Sequence, residues 1–245
     1  MKIIASKNYL SKIFLFSALS AFIIVLAIGI RFASLNNVIE TVSENNEITV
    51  IIDAGHGGID GGTSAKDGTV EKGINLSIAL KLRDILEAME INTVMTRTDD
   101  RSIHDEGVTT IKKQKISDIK NRLKIIETTP NAIFVSIHQN YFDNPKYFGT
   151  QVFYSKNNPE SKILADVIRT NIIRNLQPDN KREIKQSGKD IYLLYHSPAP
   201  SVMVECGFLS NEEDTNLLKD EKYQREFAFF TALGISEYIK STKER

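Results

Sequence analysis

The sequence predicts an α/β domain: a sheet of about six strands with helices on both faces, set behind one N-terminal transmembrane helix. Two patterns carry this expectation. Short β-branched runs alternate with longer stretches of helical apolar spacing, as in sheets covered by helices. Residues 13–30 (IFLFSALSAFIIVLAIGI) are uninterrupted by any charge. As a helix they would span about 27 Å, close to the hydrocarbon thickness of a bilayer.

Lys2, Lys7 and Lys12 precede this run, and Glu40, Glu44 and Glu47 follow it beyond Arg31. Positive flanks stay on the cytoplasmic side, so the remainder of the chain is expected outside. A cleaved signal peptide is the competing reading. Signal cores are usually about 7–15 residues, and residues 27–29 (AIG) make a poor cleavage site, so an uncleaved anchor is favoured. The division expected is 1–35 as membrane anchor or signal segment, 36–46 as linker and 47–245 as the working domain.

Within that domain, residues 48–55 (ITVIIDAG) form a strand entering a tight turn, where Gly55, Gly57, Gly58, Gly61 and Gly62 cluster. Ile74, Ile78, Leu82, Ile85 and Met89 recur at helical spacing across residues 71–90. Residues 91–97 (INTVMTR) form the next strand, and 98–110 a polar loop. A second helix over 111–127 shows Ile116, Ile119, Leu123 and Ile126 on one face. Strands follow at 132–137 (AIFVSI) and 149–154 (GTQVFY), a helix near 159–175, then strands at 190–195 (DIYLLY) and 201–205 (SVMVE). Two helices close the chain, near 211–219 and 221–240. Tyr223, Phe227, Phe230 and Gly234 share a face of the last, which marks core packing.

Composition excludes some functions. Lys+Arg 31 balances Asp+Glu 31, so no basic surplus points to nucleic acid. A single cysteine, Cys206, forms no internal disulfide. The glycine-rich loop lacks both common nucleotide-binding patterns.

Sites in open α/β sheets gather at the carboxyl ends of strands. His56, His138 and Glu205 follow three of the expected strands, and Glu71 opens the first long helix. Two histidines and a carboxylate are a common protein ligand set for hydrolytic zinc, with a further carboxylate to accept a proton from water. Each residue alone has a plainer reading. A strand-end histidine is more often a hydrogen-bonded structural group, Glu71 suits the positive end of a helix dipole, and Glu205 can be an ordinary strand-end acid.

Taken together, DAGHGGIDGG (53–62), VEKGINL (70–76), SIHQN (136–140) and VECGFLSN (204–211) resemble, in order, the four signature blocks of the zinc-dependent N-acetylmuramoyl-L-alanine amidases. The resemblance spans roughly residues 47–240. It implies a twisted, mostly parallel sheet, Zn2+ as cofactor, His56, Glu71 and His138 as metal ligands, and Glu205 as the catalytic residue. The implied reaction is hydrolysis of the amide between the muramic acid lactyl group and L-alanine of the peptidoglycan stem. The membrane segment, the absence of wall-binding repeats and TRTDDRSIHDEG (96–107) resemble the spore-cortex amidases of endospore-forming bacteria. That group implies muramic δ-lactam formation, a role in germination, and a place in the spore envelope outside the cytoplasm.

Peptidoglycan is therefore the expected partner, together with the membrane through the N-terminal helix and, as for some amidases of this kind, an activating protein. A zinc peptidase or deacetylase on another amide, and a non-catalytic wall-binding module, are the alternatives. Asp53 and Asp60 are candidates to orient a ligand imidazole. Arg97 and Arg122 are candidates for the stem carboxylates, with a structural ion pair as the default. His104 is expected as a solvated loop residue. His196 is expected to end a strand with its role open, Cys206 to be a buried residue facing away from Glu205, and Gln139 to tolerate variation.

Overall fold

A computed structural model of the chain describes residues 47–244. The expected anchor (1–35) and linker (36–46) lie outside the described residues. Among the described residues no helix is long and apolar enough to cross a membrane.

The elements run β1 (Thr49–Ala54), α1 (Glu71–Ala88), β2 (Asn92–Met95), α2 (Ile111–Thr128), β3 (Ala132–Asn140) and β4 (Gln151–Tyr154). They continue with α3 (Glu160–Asn175), β5 (Lys185–Gln186), α4 (Tyr192–His196), β6 (Ser201–Phe208), α5 (Glu212–Lys219) and α6 (Glu221–Lys243). One six-stranded sheet has the order β2-β1-β3-β6-β4-β5. β2, β1, β3 and β6 are mutually parallel, whereas β4 runs antiparallel to β6 and carries β5 with it.

Alternation along each strand sends residues to two unequal faces. Val50, Ile52 and Ala54 of β1, Ile133, Val135 and Ile137 of β3, and Val202, Val204 and Cys206 of β6 enter the larger core. There they meet Ile78 and Leu82 of α1, Leu164 and Ile168 of α3, and Phe227 and Ile235 of α6. The opposite face holds a smaller cluster, Ile51, Phe134 and Met203, under Ile126 of α2 and Leu193 and Leu194 of α4. Helices on both faces and a mostly parallel sheet agree with the expected architecture.

One expected strand is a helix. Residues 190–195 contribute to α4, whose Leu193 and Leu194 pack on the second face instead of adding a sheet edge. A short apolar run has no periodicity that separates the two forms. His196 accordingly ends a helix, stacked against Tyr192 at 4.3 Å between ring centroids. The sheet edge is taken by β5, two exposed residues too short and polar to show a pattern.

Gly234 lets α6 approach α3 closely. A Cβ there would stand 2.7 Å from Ile168 Cα and 3.0 Å from its nitrogen. Gly234→Ala is expected to destabilise the domain by about 1–3 kcal/mol through this overlap, despite alanine's better helix propensity. A urea midpoint equal to or above wild type would contradict the close approach.

Candidate metal centre

The first ligand candidate sits just beyond β1. The chain turns there through His56 at φ 62°, a left-handed conformation uncommon for a residue with a Cβ, followed by Gly57 and Gly58 at φ 135° and 56°. Paired backbone bonds between Gly57 and Asp60 close the turn, and Asp60 Oδ2 meets His56 Nδ1 at 2.9 Å. That contact leaves His56 Nε2 as the inward nitrogen, 3.2 Å from Glu71 Oε1. Asp60 is itself held by Lys115 Nζ at 2.7 Å.

Glu71 begins α1 and is nearly fully buried. Thr63 N donates to its Oε2 at 2.8 Å, and Gln139 N and Asn75 Nδ2 donate to its Oε1 at 3.1 Å each. His138, near the end of β3, brings Nδ1 within 3.0 Å of the same Oε1. Gly55 has no side chain because the His138 ring occupies the space, and a Cβ on Gly62 would strike Glu71 Oε2. His56, Glu71 and His138 each offer one ligand atom within 4.8 Å of the others. Ligands about 2.0–2.2 Å from a tetrahedral zinc stand about 3.4 Å apart, so the donor types and the spacing fit such an ion.

Glu205 lies directly beside His138 in the parallel register of β3 and β6. Its Oε2 is buried and has no hydrogen-bond partner. Cys206, next in the strand, is buried on the opposite face, as expected, and burial pushes its thiol up.

The two carboxylates titrate in opposite directions. Burial would raise Glu71, but His138 and His56 hold it well below the ordinary carboxylate range. Burial pushes Glu205 up to about 7, with Glu71 adding to the rise and the imidazoles opposing it. His56 shows the complement. Burial would lower it, yet hydrogen bonds to Asp60 and Glu71 raise it to about 9. A pocket that holds a proton so firmly has the negative potential to hold a cation in its place.

The remaining sequence candidates fall outside this cluster. Asp53 does not reach an imidazole. It accepts from Thr96 Oγ1 at 2.7 Å and from Ser136 Oγ at 2.5 Å, and it pairs with Arg122. Arg122 also donates to His56 O at 2.7 Å and Asp118 Oδ2 at 2.7 Å. Arg97 donates to the carbonyls of Ala54, Gly55, Lys72 and Asp99. Both guanidinium groups are buried and clamp the loop behind His56, their donors spent on carbonyls and carboxylates of the scaffold, and Arg122 also lines the cavity bordered by His56 and His138. His104 is half-buried and bonded to Ser102 Oγ at 2.8 Å. Sequence reasoning missed Lys115 and Asn75. Asn75 lies four residues after Glu71 on one helix face, a spacing that signals such a contact.

Residues 50–237 match the family model described as N-acetylmuramoyl-L-alanine amidase. The chain belongs to this amidase family. It is similar to the germination-specific N-acetylmuramoyl-L-alanine amidase of Bacillus subtilis (strain 168), 32% identical over 190 residues, covering 78% of this chain and 79% of that protein. The CwlD amidase from Clostridioides difficile, solved in complex with the GerS lipoprotein, is 44% identical with a TM-score of 0.76, covering 79% of this chain and 98% of that one. AmiC2 of Nostoc punctiforme is 32% identical with a TM-score of 0.67, covering 79% and 97%. The amidase resemblance drawn from the four blocks is thus borne out, and with it the expectation of an enzyme.

The buried Asp53–Arg122 pair gives the scaffold a pH signature. Burial would raise Asp53, but Arg122, His138 and the Ser136 and Thr96 hydroxyls bring it down to about 2. A depressed carboxyl stabilises the fold fully above its unfolded value of about 3.9 and loses that contribution as pH falls through about 2. Asp53→Asn is expected to cost about 3–5 kcal/mol above pH 5 by removing the more deeply buried of the two carboxylates that pair with Arg122. The difference from wild type should narrow by roughly 2–3 kcal/mol toward pH 2. A pH-independent difference in urea unfolding would show that Asp53 is not held as an anion.

Proposed function

We propose that this amidase is zinc-dependent, with His56 Nε2, Glu71 Oε1 and His138 Nδ1 as ligands and Glu205 as the catalytic acid–base. Its substrate would be the amide joining the muramic acid lactyl group to L-alanine of the stem peptide. The observation that carries this reading is the contrast between two carboxylates flanking His138: Glu71 is saturated with donors, while the buried Oε2 of Glu205 has none.

A zinc ion bound there supplies Lewis-acid polarisation of the scissile carbonyl and lowers the pKa of water toward neutrality. Asp60 fixes the His56 tautomer by accepting from Nδ1, which aims Nε2 inward. Glu205, free of other partners, receives a proton from the attacking water and returns it to the departing alanine nitrogen. An amine leaves poorly unless protonated, so this transfer is central to rate. A carboxyl that burial raises to about 7 suits a group that must both accept and give up the proton at neutral pH.

The likeness to a germination-specific amidase, and to an amidase solved with a lipoprotein, supports a role in spore cortex maturation with an activating protein partner. The charge-free run at residues 13–30, behind three lysines, supports a catalytic domain placed outside the cytoplasmic membrane.

Glu205→Gln is expected to lower kcat by about 10²–10⁴-fold while leaving about one zinc per chain. His138→Ala should lose zinc and activity together. Metal analysis and turnover on purified muropeptides, with mass spectrometry of the products, check both. Full activity in Glu205→Gln, or stoichiometric zinc in His138→Ala, would overturn the respective role. A product cut at another amide would indicate a peptidase or deacetylase instead.

A further inference from the structure

Arg97 and Arg122 are consumed by the scaffold and Lys115, beside His56, is paired with Asp60, so positive charge left unpaired for an acidic stem peptide lies elsewhere along the sheet. The face that carries Glu205 continues through β4 to β5. Gln151 stands opposite Glu205 and Phe153 opposite Met203, and Lys185 pairs with Phe153 on the outer side. Opposed residues share a face, so this row runs outward from the metal centre. A cavity opens along it, walled by Phe142, Tyr147, Phe153 and Phe208, with Arg182 and Lys185 at its border.

The Arg182 guanidinium carbon lies 4.6 Å from the Phe208 ring centre and 5.5 Å from that of Tyr147. Its Nε donates to Phe148 O at 3.0 Å. Its two terminal nitrogens have no hydrogen bond or ion pair among the described residues. No carboxylate forms an ion pair with it among the described residues, although the Asp214 carboxyl is close enough to feel its charge. Glu183 pairs with Arg169 at 3.2 Å, and Asp214 Oδ2 accepts from the backbone of Gly149 and Phe208. Lys185 is exposed, with Nζ 6.0 Å from the Phe153 ring centre and no carboxylate partner among the described residues. A stacked, half-buried guanidinium with both terminal nitrogens available is preorganised for a planar anion.

We propose that this cation–aromatic lobe is the subsite for the stem peptide, with Arg182 and Lys185 receiving its free carboxylates. The proposal rests on the amidase reading above and extends it to substrate selection. The spacing agrees. β5 lies two strand spacings from β6, about 10 Å, and an extended peptide covers that in about three residues. A stem attached at the scissile amide near Glu205 therefore reaches the lobe with its second and third residues.

The test compares two muropeptides that differ only in whether the stem carboxylates are free or converted to carboxamides, using the zinc-loaded full chain. The wild-type enzyme is expected to favour the free acid by about tenfold or more in kcat/KM, through KM. The preference should fall toward unity in the double variant Arg182→Gln/Lys185→Gln and by a smaller factor in Lys185→Gln alone. Lys185 is exposed and its change does not threaten folding. A variant that loses equally on both substrates gives Arg182 a structural or glycan-stacking role and overturns the subsite. So does a wild type that cleaves both substrates without preference, and in that case the amidase reading survives. Cleavage of both muropeptides at another amide by the wild type defeats both.

Discussion

The site depends on one carboxylate, that of Glu71, held out of water between two imidazoles. A buried anion is tolerable only when every lone pair is met, and here backbone and side-chain donors from Thr63, Gln139 and Asn75 converge on it. The first of these lies in the glycine-rich loop, the second on β3 and the third one turn along α1. The loop, the sheet and the helix are thus locked together at the point where His56 and His138 meet. The glycines follow from the same crowding: Gly55 and Gly62 lie where a Cβ would overlap the ligands themselves.

This crowding explains why the sheet has two unlike faces. One face is uniformly apolar and buried under α1, α3 and α6, and it supplies the driving force for folding. The other carries Asp53, Ser136, His138 and Glu205 along three adjacent strands, between smaller apolar contacts from α2 and α4. A polar row in the middle of a sheet must be satisfied internally, and Arg122 does this from α2. It reaches Asp53, Asp118 and the His56 carbonyl with one side chain. The guanidinium of Arg122, for which a structural ion pair is the default expectation, is the piece that holds the His56 turn against the sheet.

The parts of this structure legible in the sequence are those with local periodicity or motif order. The strand at 48–55 shows itself by its β-branched run, and α1, α2 and α6 by apolar residues three and four apart. Residues 190–195 misled because five or six apolar residues suit a strand and a buried helical turn equally. β5 left no trace because its pairing comes from β4, not from its own residues. The strand count of six survived only because one strand was lost and another gained. His56, Glu71, His138 and Glu205 were found from strand ends and block order. The partners that orient them were not, since Lys115 reaches Asp60 from a helix 55 residues away and nothing local marks that contact.

Two glutamates on either side of His138 are chemically identical, so any division of labour between them must come from their surroundings. Glu71 faces two imidazoles and three further donors, which favours the anion so strongly that it remains a carboxylate at any working pH. Glu205 shares the burial but not the donors, so it is the one poised to exchange a proton. A cation held by Glu71 and the histidines would draw Glu205 toward its anionic form, the form needed to receive a proton from water. In the proposed reaction, burial would then favour the neutral acid until the amine nitrogen takes the proton. Environments that push paired acids apart in this way can separate a ligand from an acid–base, which is the division proposed above for Glu71 and for Glu205, set beside His138 and away from the donors of the glycine-rich loop.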